Sequence, residues 1–409
     1  MSQLPQSQSL RVLLTDGSST SAREAVTLLG RAGHRVEICD PGRVGLARFS
    51  RHVARWHRCP GLRDDPLGFR RFVMDLVAQD GVDVVLPIHD QGLALAGQDL
   101  RAAIALPSFA SYRTAHTKAG FSHLLDALNL AQPATRIVSN PYDLRAMIHY
   151  PCVVKTAIGT ASRGVWQVRG GGDVAPMFAA LDGHGGEILV QDRLEGALEK
   201  AQAVFAHGEL LGFHAYRQIS EGAGGGDAIK VSVTRPKVRD QTALMGQELN
   251  WHGALSVDYI LPPDGVPHYI DCNPRLVEPM SAACAGVDLL GLLLKVSLDE
   301  KPAALAAGHD QVVTHQAMQV LLGCGLRGGT RRDILRSGLQ LLRRTGPFTE
   351  STEELTPWRD DIVSAIPPAI TALALLASPR LAGPLARRGW GAHLLNEASI
   401  ALLAGTEKV

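Results

Sequence analysis

Two strand-like runs, each carrying one carboxylate among apolar residues, constrain this chain more than any other stretch. Residues 254–261 (ALSVDYIL) hold Asp258; residues 268–272 (HYIDC) hold Asp271 and run into Asn273, Pro274 and Arg275. Alternate side chains of a strand share a face, so Asp271 and Asn273 point one way with Arg275 behind them, while Ile270 and Cys272 enter a core. The spacer 262–267 (PPDGVP) is turn chemistry and predicts an antiparallel hairpin. An acid on a mostly buried strand is costly unless it is paired, protonated or bound to a metal. Asp258, Asp271 and Asn273 then converge as oxygen ligands, the set a hard cation such as Mg2+ takes when it also holds phosphates. Arg275 adds a planar fork for an anion.

The chain opens on residues 11–16 (RVLLTD), a Gly17-Ser18-Ser19-Thr20 turn, a helical stretch over 22–32 and a second strand over 35–39. This is the βαβ start of a Rossmann-like domain. Only Gly17 of a GxGxxG fingerprint is present, which argues against an NAD-dependent oxidoreductase. A helix follows over 66–79 and a third strand over 82–88. His89-Asp90-Gln91 stands at that strand's carboxyl end, where open α/β sheets place ligands, although a polar loop is the simpler reading. The basic run 43–63 reads as a solvated face, since Asp64 and Asp65 follow it. A net charge of +1 over 409 residues argues against a general nucleic-acid binder.

Lys118 heads an apparent helix over 118–128, followed by Pro133 and a strand over 135–138. Residues 150–155 (YPCVVK) form a buried strand closed by Lys155, whose ammonium needs an anion to justify its place. The loop Gly159-Thr160-Ala161-Ser162-Arg163-Gly164 offers backbone N–H groups and a hydroxyl that can cover phosphates. It is not a P-loop, because Val165 follows Gly164 where Lys-Ser/Thr would be needed. A strand over 187–194 leads past Glu199 to a hairpin over 201–214. Four glycines in 220–227 (SEGAGGGD) suggest a mobile lid or a close backbone approach. Arg217, Lys230 and Arg235 flank it as candidate phosphate contacts. Glu278 opens a helix over 280–295 and is read as its cap.

These elements, in this order, resemble the ATP-grasp superfamily, in particular its carboxylate–amine ligases and the related biotin carboxylase and carbamoyl-phosphate synthase branch. The resemblance runs over about residues 10–300. It implies an α/β chain with a Rossmann-like domain (1–115), an ATP-grasp domain (116–302) whose two α+β subdomains clamp ATP, and a mainly helical region (303–409). It further implies that Lys118 and Lys155 reach the nucleotide's phosphates, and that Gly159, Ser162, Arg163 and Gly164 cover them. By the same resemblance Gln191, Asp192 and Leu194 form the adenine hinge, Glu199 meets the ribose or positions phosphates, and Asp258, Asp271 and Asn273 hold Mg2+, or Mn2+ in its place. Arg275, Lys155 and Arg217 are implied at the transferring phosphoryl group. The family usually has Glu where this chain has Asp271.

The implied reaction is ATP-dependent: a carboxylate becomes an acylphosphate with release of ADP, and an amine, for which an amino acid is one candidate, displaces phosphate to give an amide. Activation of bicarbonate or an enol oxygen, and a nucleotide-binding scaffold without catalysis, are the alternatives. Six scattered cysteines without a CxxC pair fit buried thiols in a reducing cytosol, and polar residues 1–10 carry no secretion signal. Residues 362–379 are uncharged, but Pro367 and Pro368 interrupt them, so no stable membrane insertion is expected. The arginines from Arg327 to Arg344 surround an apolar helical spacing and read as a solvated basic face. A homodimer is the default assembly.

Overall fold

Three sheets organise the chain in a computed structural model that describes residues 9–159, 164–386 and 391–406. The first consists of β1 (Arg11–Leu14), β2 (Arg35–Asp40), β3 (Val53–Arg58) and β4 (Val84–Leu86), all parallel in the order β3-β2-β1-β4. Val12, Leu13, Leu14, Val36, Ile38 and Val84 are sealed from solvent, as strands covered on both faces require. The helix Thr20–Arg31 follows β1 and is capped by the Ser19 hydroxyl, which accepts from the Ala22 N–H. Strand β3 runs through the basic stretch 43–63, whose six arginines are exposed, as a solvated face requires. It is the sheet's edge, where Arg55 reaches Asp80 at 2.7 Å and charged side chains cost little.

The second sheet, β5 (Thr135–Val138), β6 (Cys152–Thr156), β7 (Val165–Val168) and β8 (Ile188–Asp192), is antiparallel in the order β5-β8-β6-β7. The third and largest contains β9 (Ala197–Ala206), β10 (Glu209–Glu221), β11 (Asp227–Ser232), β12 (Gly253–Leu261), β13 (His268–Asn273), β14 (Val313–His315) and β15 (Thr352–Glu353). Its order is β13-β12-β9-β10-β11-β14-β15. Among the described residues after 303, helices joined by loops predominate, and two short strands extend this sheet.

Two expectations fail locally. The helix expected over 280–295 breaks into Pro279–Cys284 and Leu289–Ser297, because Gly286 adopts φ +86° and turns the chain. The glycine-rich stretch, expected as a lid or a close backbone approach, is not a lid but a hairpin turn between β10 and β11 in which Gly222 and Gly226 pack against Gln319. Gly222 N donates to Gly226 O at 2.7 Å, and Ala223 N donates to Gln319 Oε1 at 2.8 Å, so the turn is fastened to the helix Ala317–Leu326. The last described segment returns to the first sheet, where Leu395, Ile400 and Leu403 share a core with Leu13, Phe69 and Val73. Among the described residues, no helix is long and apolar enough to cross a membrane.

Candidate active site

The β12–β13 hairpin forms as its sequence predicts. Asp258 stands directly opposite Asp271, and Ser256 opposite Asn273, so the two acids and the amide share one face of the large sheet. Asp258 Oδ1 is buried without a hydrogen-bond partner. Burial pushes the Asp258 carboxyl up to about 6; Lys200 works against that rise and Asp271 adds to it. Arg275, also buried, donates to Asn273 Oδ1 at 3.3 Å and to Ser21 Oγ of the first helix at 3.5 Å.

Both candidate phosphate lysines arrive at this hairpin, Lys155 from the second sheet and Lys118 from a helix that precedes that sheet in the chain. Lys155 closes β6 and donates to Ile270 O at 2.9 Å. Burial lowers its ammonium to about 8, with Asp271 pulling the other way. Lys118 starts the helix Lys118–Ala127, capped by Thr117, and its Nζ lies 3.8 Å from Asp271 Oδ1 while donating to Gly159 O. Gly159 thus borders the site directly. Gly164 closes the loop with φ +72°; a Cβ there would meet Thr156 Oγ1, so the position requires glycine. Ser162 and Arg163 lie outside the described residues.

Gln191 is buried on β8 and donates to Thr135 Oγ1 at 2.9 Å; Asp192 pairs with His149 at 2.6 Å, and Leu194 follows half-buried in the link to β9. These three residues border the connection between the small and large sheets. Glu199 and Arg217 are not brought to the acid face. On β9 the residue opposite Asp258 is Lys200, and Glu199 stands opposite both Tyr259 and Arg217, on the other side of the sheet. There Glu199 is fully buried, held by Arg235 at 2.6 and 2.7 Å, by the Tyr259 hydroxyl at 3.0 Å and by Arg217 at 3.4 Å.

Sequence reading missed Lys200. It shares the face of Asp258 and is locked to Asp227 Oδ2 at 2.6 Å. Burial opposes its charge, but Asp227, Asp258 and Glu278 together outweigh burial and hold the ammonium well above its ordinary value. Placing the start of β9 at Ala201 left Lys200 in a turn; the strand begins at Ala197, and alternation from Gln202 would have found it. Lys230 faces a different task from phosphate binding. It is fully enclosed between Glu278 and Glu354, the latter at 2.6 Å, while Gln316 joins Glu354 to Glu24. This also corrects the reading of Glu278 as a cap: its side chain makes no capping bond and turns to the buried ammonium. Burial raises the Glu278 carboxyl, against the pull of Lys230.

At the carboxyl end of the first sheet, His89 lies 3.3 Å from Asp16, and His393 lies 3.3 Å from both Asp16 and Asp40. The ligand position of an open α/β sheet is therefore filled by the chain's own returning segment. Burial opposes charge on His393, yet Asp16 and Asp40 lift it to about 9.

A clamp of this kind, with one lysine from a small antiparallel sheet and one from the helix before it poised over an acid-bearing hairpin of a larger sheet, defines the ATP-grasp fold, and the chain has that fold. No protein-family model matches the chain. Among curated proteins it is similar to the carbamoyl phosphate synthase large chain of Deinococcus deserti, 25% identical over 265 residues, covering 60% of this chain and 25% of that one. The chain thus spans about a quarter of the length of the curated relatives it matches.

Among solved structures it resembles a carboxyaminoimidazole ribonucleotide synthase from Aspergillus clavatus complexed with ATP (TM-score 0.60, 16% identity, 76% of this chain and 82% of that chain). It also resembles the biotin carboxylase domain of Hydrogenobacter thermophilus 2-oxoglutarate carboxylase with MgADP and bicarbonate (0.58, 14%, 75% and 74%). An L-amino acid ligase from Bacillus licheniformis is a third (0.53, 16%, 71% and 74%).

Proposed function

We propose that the chain is an ATP-dependent ligase that joins a small carboxylic acid to an amine through an acylphosphate, releasing ADP and phosphate. The observation that carries this reading is the convergence of the Lys118 and Lys155 ammoniums on the facing Asp258–Asp271 pair. Two buried cations and two adjacent acids match the mixed charge of a polyphosphate bound through a divalent metal. The donor set fits Mg2+ or Mn2+: Asp258 Oδ1 has no partner, and a cation offsets the burial, and the added repulsion from Asp271, that raise its carboxyl. Asp258, Asp271 and Asn273 would hold it, and when bound it would offset charge on the β- and γ-phosphates.

The chain's own residues do the rest. Lys118 and Lys155 neutralise phosphate oxygens, and an anion restores the charge that burial weakens at Lys155. Gly159 and Gly164 frame the loop that excludes water. The end of β8 at Gln191 and Asp192, with Leu194, offers the adenine an edge. Arg275 stands behind the metal ligands, where it steadies the transferring group. Positioning and electrostatics suffice, so no side chain acts as a nucleophile. In this reading residues 1–115, 116–302 and 303–409 are the three functional parts, and Glu199 and Arg217 brace the sheet from below. The solved relatives named as an amino acid ligase and a ribonucleotide synthase support an acid–amine reaction, and the relative holding bicarbonate supports that ion as a second acceptor.

The test is nucleotide product analysis with ATP, Mg2+ and pools of carboxylic acids, bicarbonate and amines. ADP and phosphate that depend on an acid and an amine support the ligase; dependence on bicarbonate alone assigns the second acceptor. AMP and pyrophosphate would replace phosphoryl transfer by adenylation and overturn the reading.

A further inference from the structure

More than half of the strongly exposed large apolar side chains among the described residues lie between residues 326 and 381, beyond the reach of the ligase resemblance. Two helices carry most of them. On Arg331–Arg343, Leu335, Leu339 and Leu342 are 51%, 39% and 83% exposed, and their i, i+4, i+7 spacing makes one stripe. Ile334 is buried in a core with Leu321 and Leu322 of the helix beneath, so the stripe faces away from the body. Arg332, Arg336 and Arg343 are exposed and form a parallel stripe one step round the same helix.

The helix Ile366–Ala377 repeats the arrangement. Ile366, Ile370 and Leu373 are exposed at the same spacing, opposite the buried Thr371 and Leu375. Arg331 donates to Ala377 O, which sets the start of one helix beside the end of the other. Just upstream, Trp358 is 57% exposed, with the Arg359 guanidinium 5.4 Å from its ring centre. An indole of this kind suits a boundary between apolar and wet surroundings.

Charge selects the occupant. A symmetric contact between two copies would crowd Arg332, Arg336 and Arg343 of both copies into one interface. The acid on that helix, Asp333, is already engaged by the Thr330 N–H and hydroxyl and lies 3.7 Å from Arg336. An anionic surface with an apolar layer behind it meets the arginines and the leucines together. We propose that this two-helix face docks the protein on an anionic lipid bilayer. The leucine and isoleucine stripes enter the acyl boundary and the arginines rest on headgroup phosphates. Since no described helix is long enough to cross, the attachment is peripheral.

Flotation with vesicles of phosphatidylcholine mixed with phosphatidylglycerol, against phosphatidylcholine alone, tests this without reference to the ATP chemistry. The full chain is expected to float with the anionic vesicles and to be released by salt. Leu342→Asp/Ile370→Asp and Arg332→Glu/Arg336→Glu, all at exposed positions, should each weaken binding by about tenfold or more while leaving circular dichroism unchanged. A wild-type protein that stays soluble beside anionic vesicles at low salt overturns the proposal, as do variants that float as well as wild type. A dimer in sedimentation that the same variants dissociate, without flotation, gives the face to a second copy instead.

Discussion

At the residue scale, the site is a balance of buried charges. Lys155 and Lys118 are held in place by carbonyls and by the nearby Asp271. Asp258 keeps an unpartnered oxygen beside them. Asp271→Ala and Lys155→Ala are each expected to lower ATP turnover by about 10²-fold or more, as the loss of one preorganised electrostatic group does. Thermal melts and circular dichroism should find both variants folded; turnover near wild type from either would remove that residue from the site. Asp258, Asp271 and Asn273 were legible in the sequence because a two-residue period sorts the faces of a strand. Glu199 was legible as a charged residue near the site, but its face was not. One position separates it from Lys200, and only the pairing with Asp258 and Tyr259 decides which of the two looks toward the acids.

At the element scale, the returning segment 391–406 acts as a plug on the first sheet. His393 sits between Asp16 and Asp40, and its folded value of about 9 lies above its ordinary 6.5. A group raised in this way contributes stability that is fully present below 6.5 and is lost as pH rises through about 9. Limited proteolysis is therefore expected to release the carboxyl-terminal segment faster above about pH 9 than at about pH 7. His393→Ala should give fast release at both values; a wild-type rate independent of pH would show that the histidine does not hold the plug. Patterns of four to six apolar residues located most strands to within a few positions. They missed β3, where an edge strand tolerates arginines, and they left a pinned hairpin turn readable as a lid, because glycine content reports permitted backbone angles and not what packs over them.

At the scale of the whole molecule, Lys230 joins parts far apart in sequence. Its ammonium lies between Glu278 and Glu354, and Gln316 links Glu354 to Glu24 on the first helix. Lys230→Met leaves these buried acids without their cation and is expected to cost about 3–5 kcal/mol, measurable in urea unfolding. A loss below about 1 kcal/mol would mean that protonation of the acids compensates. The sequence by itself determined the acid-bearing hairpin and singled out Lys155, because both rest on local periodicity and on the cost of burying charge, whereas Lys118 entered only through the family resemblance. Only the tertiary structure decided that Lys200 faces Asp258, that Glu278 meets Lys230 and does not cap a helix, and that His393 fills the end of the first sheet. Those contacts join residues from 48 to 377 positions apart. Their register and partners are set by how whole elements pack, which no local pattern encodes.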